Sequence, residues 1–308
     1  MSILFHCTFE NSNEWKRKIK NKFKYKKIIS INDKSEFDKV EIAIVWNLPN
    51  QILYKLPNLK IIFSLGAGVD HILNLDDYIG TPIVRIKDPL MGELMYYYVL
   101  SQILNYQVGI NQYKTAQNHK IWRKEILPPF NKDLTIGILG LGYLGSIVGK
   151  FLARNNYKII AYKKTKLKKE KFKIYYNKQL STFIKSSDVI INILPNTKAT
   201  KNFINFKFLS LMKKKSLLVS IGRGSTVNER DLIKHLQKNK MFNASLDVFQ
   251  NEPLPKNSLL WSLPNINITP HVASITLIDS AIDLIFNKYN KYVITKKIRS
   301  DVNLSKGY

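Results

Sequence analysis

Cysteine is almost missing from this chain of 308 residues: Cys7 stands alone, which excludes an internal disulfide and a thiolate cluster, so no metal is expected. No apolar run reaches the length of a membrane span. The opening MSILFHCTFE has no basic leader and is broken by His6 and Glu10, so it reads as a first strand. The expectation is an unprocessed, cytoplasmic protein with no membrane partner. Acidic residues are scarce as well, 22 Asp and Glu against 49 Lys and Arg, leaving a formal net charge of +27. That balance raises nucleic acid as a partner, through counterion release from phosphates. Arginine, however, supplies only 7 of the basic residues and lysine 42, and they are scattered, as an AT-rich coding bias would produce. A solvated lysine surface is the reading adopted, with no nucleic-acid partner. Internal repeats and low-complexity linkers are also absent.

With 45% hydrophobic residues the chain can bury a sizeable core. In the first hundred residues SILFHCTF, KKIISI, EIAIVW, LKIIFSL and TPIVRI are separated by helix-length stretches, which implies a parallel sheet with crossovers. Residues 92 to about 113 have helical spacing and no proline, so one long helix should leave this unit, before Pro128 and Pro129 punctuate the chain. From Leu134 a second series begins, with TIGIL, KIIAY, VIINIL, SLLVSIG, FNASLDV and INITPH. It predicts a doubly wound sheet. A last amphipathic helix is expected over about 276–291. The fold class is therefore α/β, two parallel-sheet lobes joined by helices, with a cleft between them as the default binding site.

The chemistry begins at GLGYLG. Gly140, Gly142 and Gly145 follow the apolar run LTIGIL and open a helix. The first permits a tight turn, the second close approach of a pyrophosphate, and the third close packing of helix on strand. At the end of the next strand, IIAYKKTK, an NAD site wants an acid to accept from the ribose 2′-hydroxyl. Lys163 stands there instead, followed by Lys164, Thr165 and Lys166, all suited to a 2′-phosphate. NADP(H) is the preferred cofactor on this reading, with NAD(H) possible.

Three further residues end successive strands in the last third: Arg223 in SIGRGSTV, Glu252 in DVFQNEPLP and His271 in NITPHVAS. The other histidines, His6, His71, His119 and His235, have structural explanations. Hydride transfer to a carbonyl needs a proton donor where negative charge grows on oxygen, and His271 fits that role. A carboxylate beside it, Glu252, favours the charged ring. Arg223 cannot lose its proton, so it anchors the carbonyl oxygen and the substrate carboxylate. The flanking Gly222 and Gly224 would let backbone approach a ligand.

These motifs, with VWNLP at 45–49, SLGAGVDHIL at 64–73, DPLMGELM at 88–95, ILPNT at 193–197 and LWSLPNINITPH, resemble the D-isomer-specific 2-hydroxyacid dehydrogenases. The similarity is greatest to their glyoxylate- and hydroxypyruvate-reducing members. It implies a flavodoxin-like substrate domain, 1–97 and 277–308, into which a Rossmann coenzyme domain, 98–276, is inserted. Arg223, Glu252 and His271 fall on the family's catalytic residues. The resemblance adds Tyr143 and Leu144 of the glycine loop to the cofactor set. Leu194, Pro195 and Ile221 join it from later strand ends, as do Arg223, Asp247 and His271. For the substrate it implies the main-chain amides at Ala67 and Gly68 as carboxylate ligands, together with Trp46, Met91 and Arg223. It also implies a homodimer with an arm around Trp122. The expected reaction is NADPH-dependent reduction of glyoxylate and hydroxypyruvate. A bulkier 2-oxoacid is the alternative within this chemistry, and a non-catalytic, nucleotide-sensing protein of corepressor type the alternative outside it.

Overall fold

Runs of β-branched and aliphatic residues without polar alternation suit strands covered on both faces, the condition of a parallel sheet between helices. The computed structural model describes residues 2–124, 127–164, 172–304 and 306–308. In it the chain forms two units, 1–88 with 276–308, and 89–275.

The first unit begins β1 (Ser2–His6), α1 (Ser12–Lys22), β2 (Lys27–Ile29), β3 (Val40–Val45), β4 (Ile61–Ser64), α2 (Asp70–Leu73) and β5 (Ile83–Val84). All neighbours pair in parallel, in the order β2-β1-β3-β4-β5. This is the flavodoxin-like order, whose reversal lies beside β1. The strand residues are nearly all inaccessible, Val40 to Val45 among them with only Glu41 partly open.

The second unit starts with α3 (Pro89–Val108) and α4 (Ile110–Asn118). One helix was expected here; Gly109, at φ 79°, turns left-handed and divides it in two. Then come β6 (Thr135–Leu139), α5 (Tyr143–Arg154), β7 (Lys158–Lys163), β8 (Lys173–Tyr176), α6 (Leu180–Ser186) and β9 (Val189–Asn192). The series closes with α7 (Phe206–Ser210), β10 (Leu217–Ser220), α8 (Glu229–Lys238), β11 (Asn243–Leu246) and β12 (Ile266–Ile268). The seven strands are parallel, in the order β12-β11-β10-β9-β6-β7-β8. That is a Rossmann sheet with a seventh strand, and its reversal lies between β6 and β9.

The expected boundary after residue 97 falls inside α3. Met95, Tyr96, Val99 and Ile103 of that helix join Ile136, Ile138 and Val148 in the core of the second unit. Gly92 lets the helix start close to α5, since a Cβ there would lie 2.7 Å from the Ile147 side chain. The helix therefore belongs with the coenzyme sheet from its first turn. After 275 the chain returns to the first unit as α9 (Ile278–Thr295), which packs on α1 through Phe23, Phe286 and Tyr289. Ion pairs Lys18–Asp279, 2.7 Å, and Lys22–Asp283, 2.6 Å, flank that contact. Among the described residues no helix is long and apolar enough to cross a membrane, and no cluster of His, Cys, Asp or Glu could hold a metal.

Candidate active site

The carboxyl ends of β6 and β9, where the strand order reverses, carry the glycine loop and the Leu194–Pro195 turn. Gly140 adopts φ +107°, and a Cβ on it would come within 2.7 Å of the Ile193 carbonyl. Gly145 packs as tightly, its Cβ position 2.4 Å from the Gly140 carbonyl. Gly142 differs, because nothing lies within 4 Å of where its Cβ would point. It precedes α5, which has neither a side-chain cap nor an acid in its first turn. Open space in front of uncapped amides fits an anionic pyrophosphate. Tyr143 is exposed, whereas Leu144 packs into the core beneath the loop.

At the end of β7 the Lys163 ammonium donates to the Leu141 carbonyl at 3.2 Å, so this residue also tethers the glycine loop. Lys164 is exposed beside it, while Thr165 and Lys166 lie outside the described residues. No acid occupies 163 or 164.

Arg223 follows β10 and Ile221, which is buried. The flanking glycines, expected to let backbone approach a ligand, face protein backbone instead. A Cβ on Gly222 would lie 2.5 Å from the Leu194 carbonyl oxygen, and one on Gly224 1.9 Å from the Phe249 carbonyl. These glycines let neighbouring loops close around Arg223. Its carbonyl accepts from Thr226 Oγ1 at 2.6 Å, and Thr226 in turn accepts from buried Asn192 at 2.7 Å.

Glu252 and His271 form the centre of the site. Glu252 Oε2 lies 2.7 Å from His271 Nδ1, and Glu252 Oε1 accepts from the Phe249 amide at 2.9 Å. Burial pulls the Glu252 carboxyl up, but hydrogen bonds from His271 and Phe249, aided by the charges of His271 and Arg223, outweigh it. The carboxyl is held below its ordinary value. A carboxylate only accepts, so Nδ1 carries a proton and Nε2 is the ring atom available for transfer. His271 itself sits at φ 57°, an unusual conformation for a residue that is neither Gly nor Asn.

Asp247 holds that conformation. Its carbonyl takes the His271 amide at 2.9 Å, and its carboxylate takes the amides of Val272 at 2.8 Å and Ala273 at 2.9 Å. Thr269 Oγ1 donates to it at 2.6 Å and meets the Tyr98 hydroxyl at 2.7 Å. With 1% exposure and these partners, Asp247 is engaged by the loop that carries His271. Tyr98 and Thr269 went unnoticed in the sequence, where nothing separates them from core residues.

Met91, in α3, is buried at 4% exposure, and its carbonyl accepts from Ser274 Oγ at 2.9 Å. The other expected substrate residues belong to the first unit. Trp46 follows β3, and Ala67 and Gly68 follow β4. The Trp46 ring stacks on Phe9, with centroids 5.1 Å apart. It also covers Gly66, where a Cβ would lie 2.5 Å from the indole.

A glycine loop at the switch point of a Rossmann sheet, with a carboxylate-paired histidine at the same carboxyl edge, defines a nicotinamide-dependent oxidoreductase. Residues 100–273 match the NAD binding domain of the D-isomer specific 2-hydroxyacid dehydrogenases, and the chain belongs to that family. It is 32% identical to glyoxylate/hydroxypyruvate reductase A of Photorhabdus laumondii, with 100% of each chain covered. The Yersinia enterocolitica protein of that name is 32% identical over 92% of each. Among solved structures, a D-isomer specific 2-hydroxyacid dehydrogenase from Xanthobacter autotrophicus, in complex with NADPH and MES, superposes with a TM-score of 0.92. It is 27% identical and covers 100% of this chain and 99% of its own. An NADPH-dependent glyoxylate/hydroxypyruvate reductase from Sinorhizobium meliloti, with NADP and sulfate, gives 0.88 at 26% identity with 100% of each covered.

Proposed function

We propose that this enzyme reduces small 2-oxoacids with NADPH, glyoxylate to glycolate and hydroxypyruvate to D-glycerate, with NADH a poorer donor. The observation that carries this reading is the 2.7 Å pair of His271 Nδ1 and Glu252 Oε2 beside Arg223. Lysines at 163 and 164, without an acid, support NADPH, as do the dinucleotides named with the Xanthobacter and Sinorhizobium structures. The Photorhabdus and Yersinia relatives support the substrate class.

The glycine loop, the α5 amides and Lys164 would hold the dinucleotide. When bound, it supplies a hydride to the keto carbon. Negative charge then grows on the keto oxygen, and His271 delivers a proton to it from Nε2. Glu252 keeps Nδ1 protonated, orients the ring and stabilises its charge. Arg223, permanently cationic, holds the keto oxygen and the carboxylate, with the Ala67 and Gly68 amides as further carboxylate ligands. A homodimer is part of this reading, supported by the exposure of Ile121 at 61%, Trp122 at 87% and Leu127 at 91%. A monomer by light scattering at micromolar concentration would refute it.

Initial rates at 340 nm, crossing NADPH and NADH with glyoxylate, hydroxypyruvate, pyruvate and a bulky 2-oxoacid, test the function. NADPH oxidation should be fastest with the two small polar acids. Highest kcat/KM on the bulky acid would move the substrate class, and cofactor binding without turnover would point to nucleotide sensing.

A further inference from the structure

Two loops of the first unit carry residues proposed to meet the substrate, the turn at Trp46–Asn47 and the loop at 66–68. His71, in α2, is bonded to the first directly and to the second through Ser64. The Asn47 amide can only donate, so its 3.2 Å contact makes His71 Nδ1 an acceptor and places the ring proton on Nε2. Nε2–H then donates to Ser64 Oγ at 3.1 Å. Ser64, 0% exposed, spends its own hydroxyl proton on the Gly68 carbonyl at 3.0 Å. The Gly66 amide donates to Ser64 Oγ at 3.4 Å. The donors run in one sense only, from Asn47 through the neutral ring and Ser64 to Gly68.

A ring contact with Trp46 and a second hold on Asn47 serve the same end. Its ring lies 4.3 Å from that of Trp46, and the indole covers Gly66. Asn47 is left-handed at φ 52°, and its carbonyl is held by His6 Nε2 at 3.2 Å.

We propose that neutral His71 is a positioning residue that locks the two loops together through Ser64, so that the Ala67 and Gly68 amides face the carboxylate of a 2-oxoacid and the Trp46 indole keeps one orientation. Proton transfer stays with His271. The inference rests on the 2-oxoacid reading above.

Steady-state kinetics and NADPH binding by fluorescence would be measured for wild type, His71→Phe, His71→Gln and Ser64→Ala. A carboxylate contact made equally in ground and transition states acts on KM and not on kcat. His71→Phe and Ser64→Ala should raise the oxoacid KM roughly ten- to hundredfold, the range for hydrogen bonds to charged groups. They should leave kcat within about threefold and NADPH affinity unchanged. His71→Gln, whose side-chain amide can still donate to Ser64, should recover most of the loss. An unchanged KM, a loss confined to kcat, or a Gln variant no better than Phe would overturn the proposal. Ser64→Ala carries the test if His71→Phe does not fold. If wild type turns over no 2-oxoacid, the functional reading fails by itself, and the relay is read from oxalate binding by calorimetry. Weaker binding by Ser64→Ala supports it; equal binding, or none by wild type, overturns it.

Discussion

The charge on Glu252 sets the pH range over which His271 keeps its orientation. Its folded carboxyl lies below the ordinary value of 4.5. A depressed carboxyl stabilises the folded state above its unfolded value, and that contribution is lost as pH falls through the lower folded one. The pair should therefore survive below pH 4.5, and a carboxyl carbon titration, assigned by difference from Glu252→Gln, should show its midpoint there. A midpoint at or above 4.5 would contradict the hydrogen-bond assignment. For His271→Ala, kcat should fall by about 10²- to 10⁴-fold, the range for a lost general acid, with NADPH affinity little changed. Retention of most activity would remove His271 from the mechanism.

Strand ends and the turns after them carry the residues proposed to do the chemistry, and their glycines differ in purpose. Gly224 has Phe249 backbone where a Cβ would go, so Gly224→Ala should lower the melting temperature sharply, with activity lost through misfolding. Gly142 has open space, so Gly142→Ala should melt close to wild type while binding NADPH at least tenfold more weakly, the methyl occupying the pyrophosphate's approach. Equal NADPH affinity in that variant would move the dinucleotide away from this loop. Much of this level was legible beforehand, because strand runs, the fingerprint and the strand-end positions of Arg223, Glu252 and His271 are local patterns. The division of the 92–113 helix at Gly109 was not, since helical periodicity continues through an isolated glycine whose left-handed turn depends on what the flanking helices pack against.

At the scale of the whole molecule, charge and burial make their own predictions. Burial pushes Tyr106 and Tyr157 up to about 12 from 10.0, Tyr157 while donating to Gln107. The native state keeps protons between these values that the unfolded chain releases, so stability falls as pH rises from 10 to about 12. Absorbance at 295 nm should show these two tyrosines titrating late, together with unfolding, and Tyr157→Phe should remove one of them. With the proposed function, a formal net charge of +27 would draw in both NADPH and 2-oxoacid anions. On that basis kcat/KM should fall as salt rises through the range where the Debye length contracts below about 10 Å. A flat response would leave the lysines without a steering role.

By itself the sequence determined the two α/β units, the dinucleotide loop and the residue types of the proposed reacting centre, because each depends on short-range periodicity or on chemistry unique to a side chain. Tertiary structure decided what those residues touch. It assigned α3 to the coenzyme sheet, since Gly92 meets Ile147, and gave the glycines beside Arg223 to neighbouring loops. It surrounded Asp247 with the amides of the His271 loop and made His71, in sequence one structural histidine among four, the link between Asn47 and Ser64. Such pairings join residues distant in the chain, and their geometry exists only once the strands are in register.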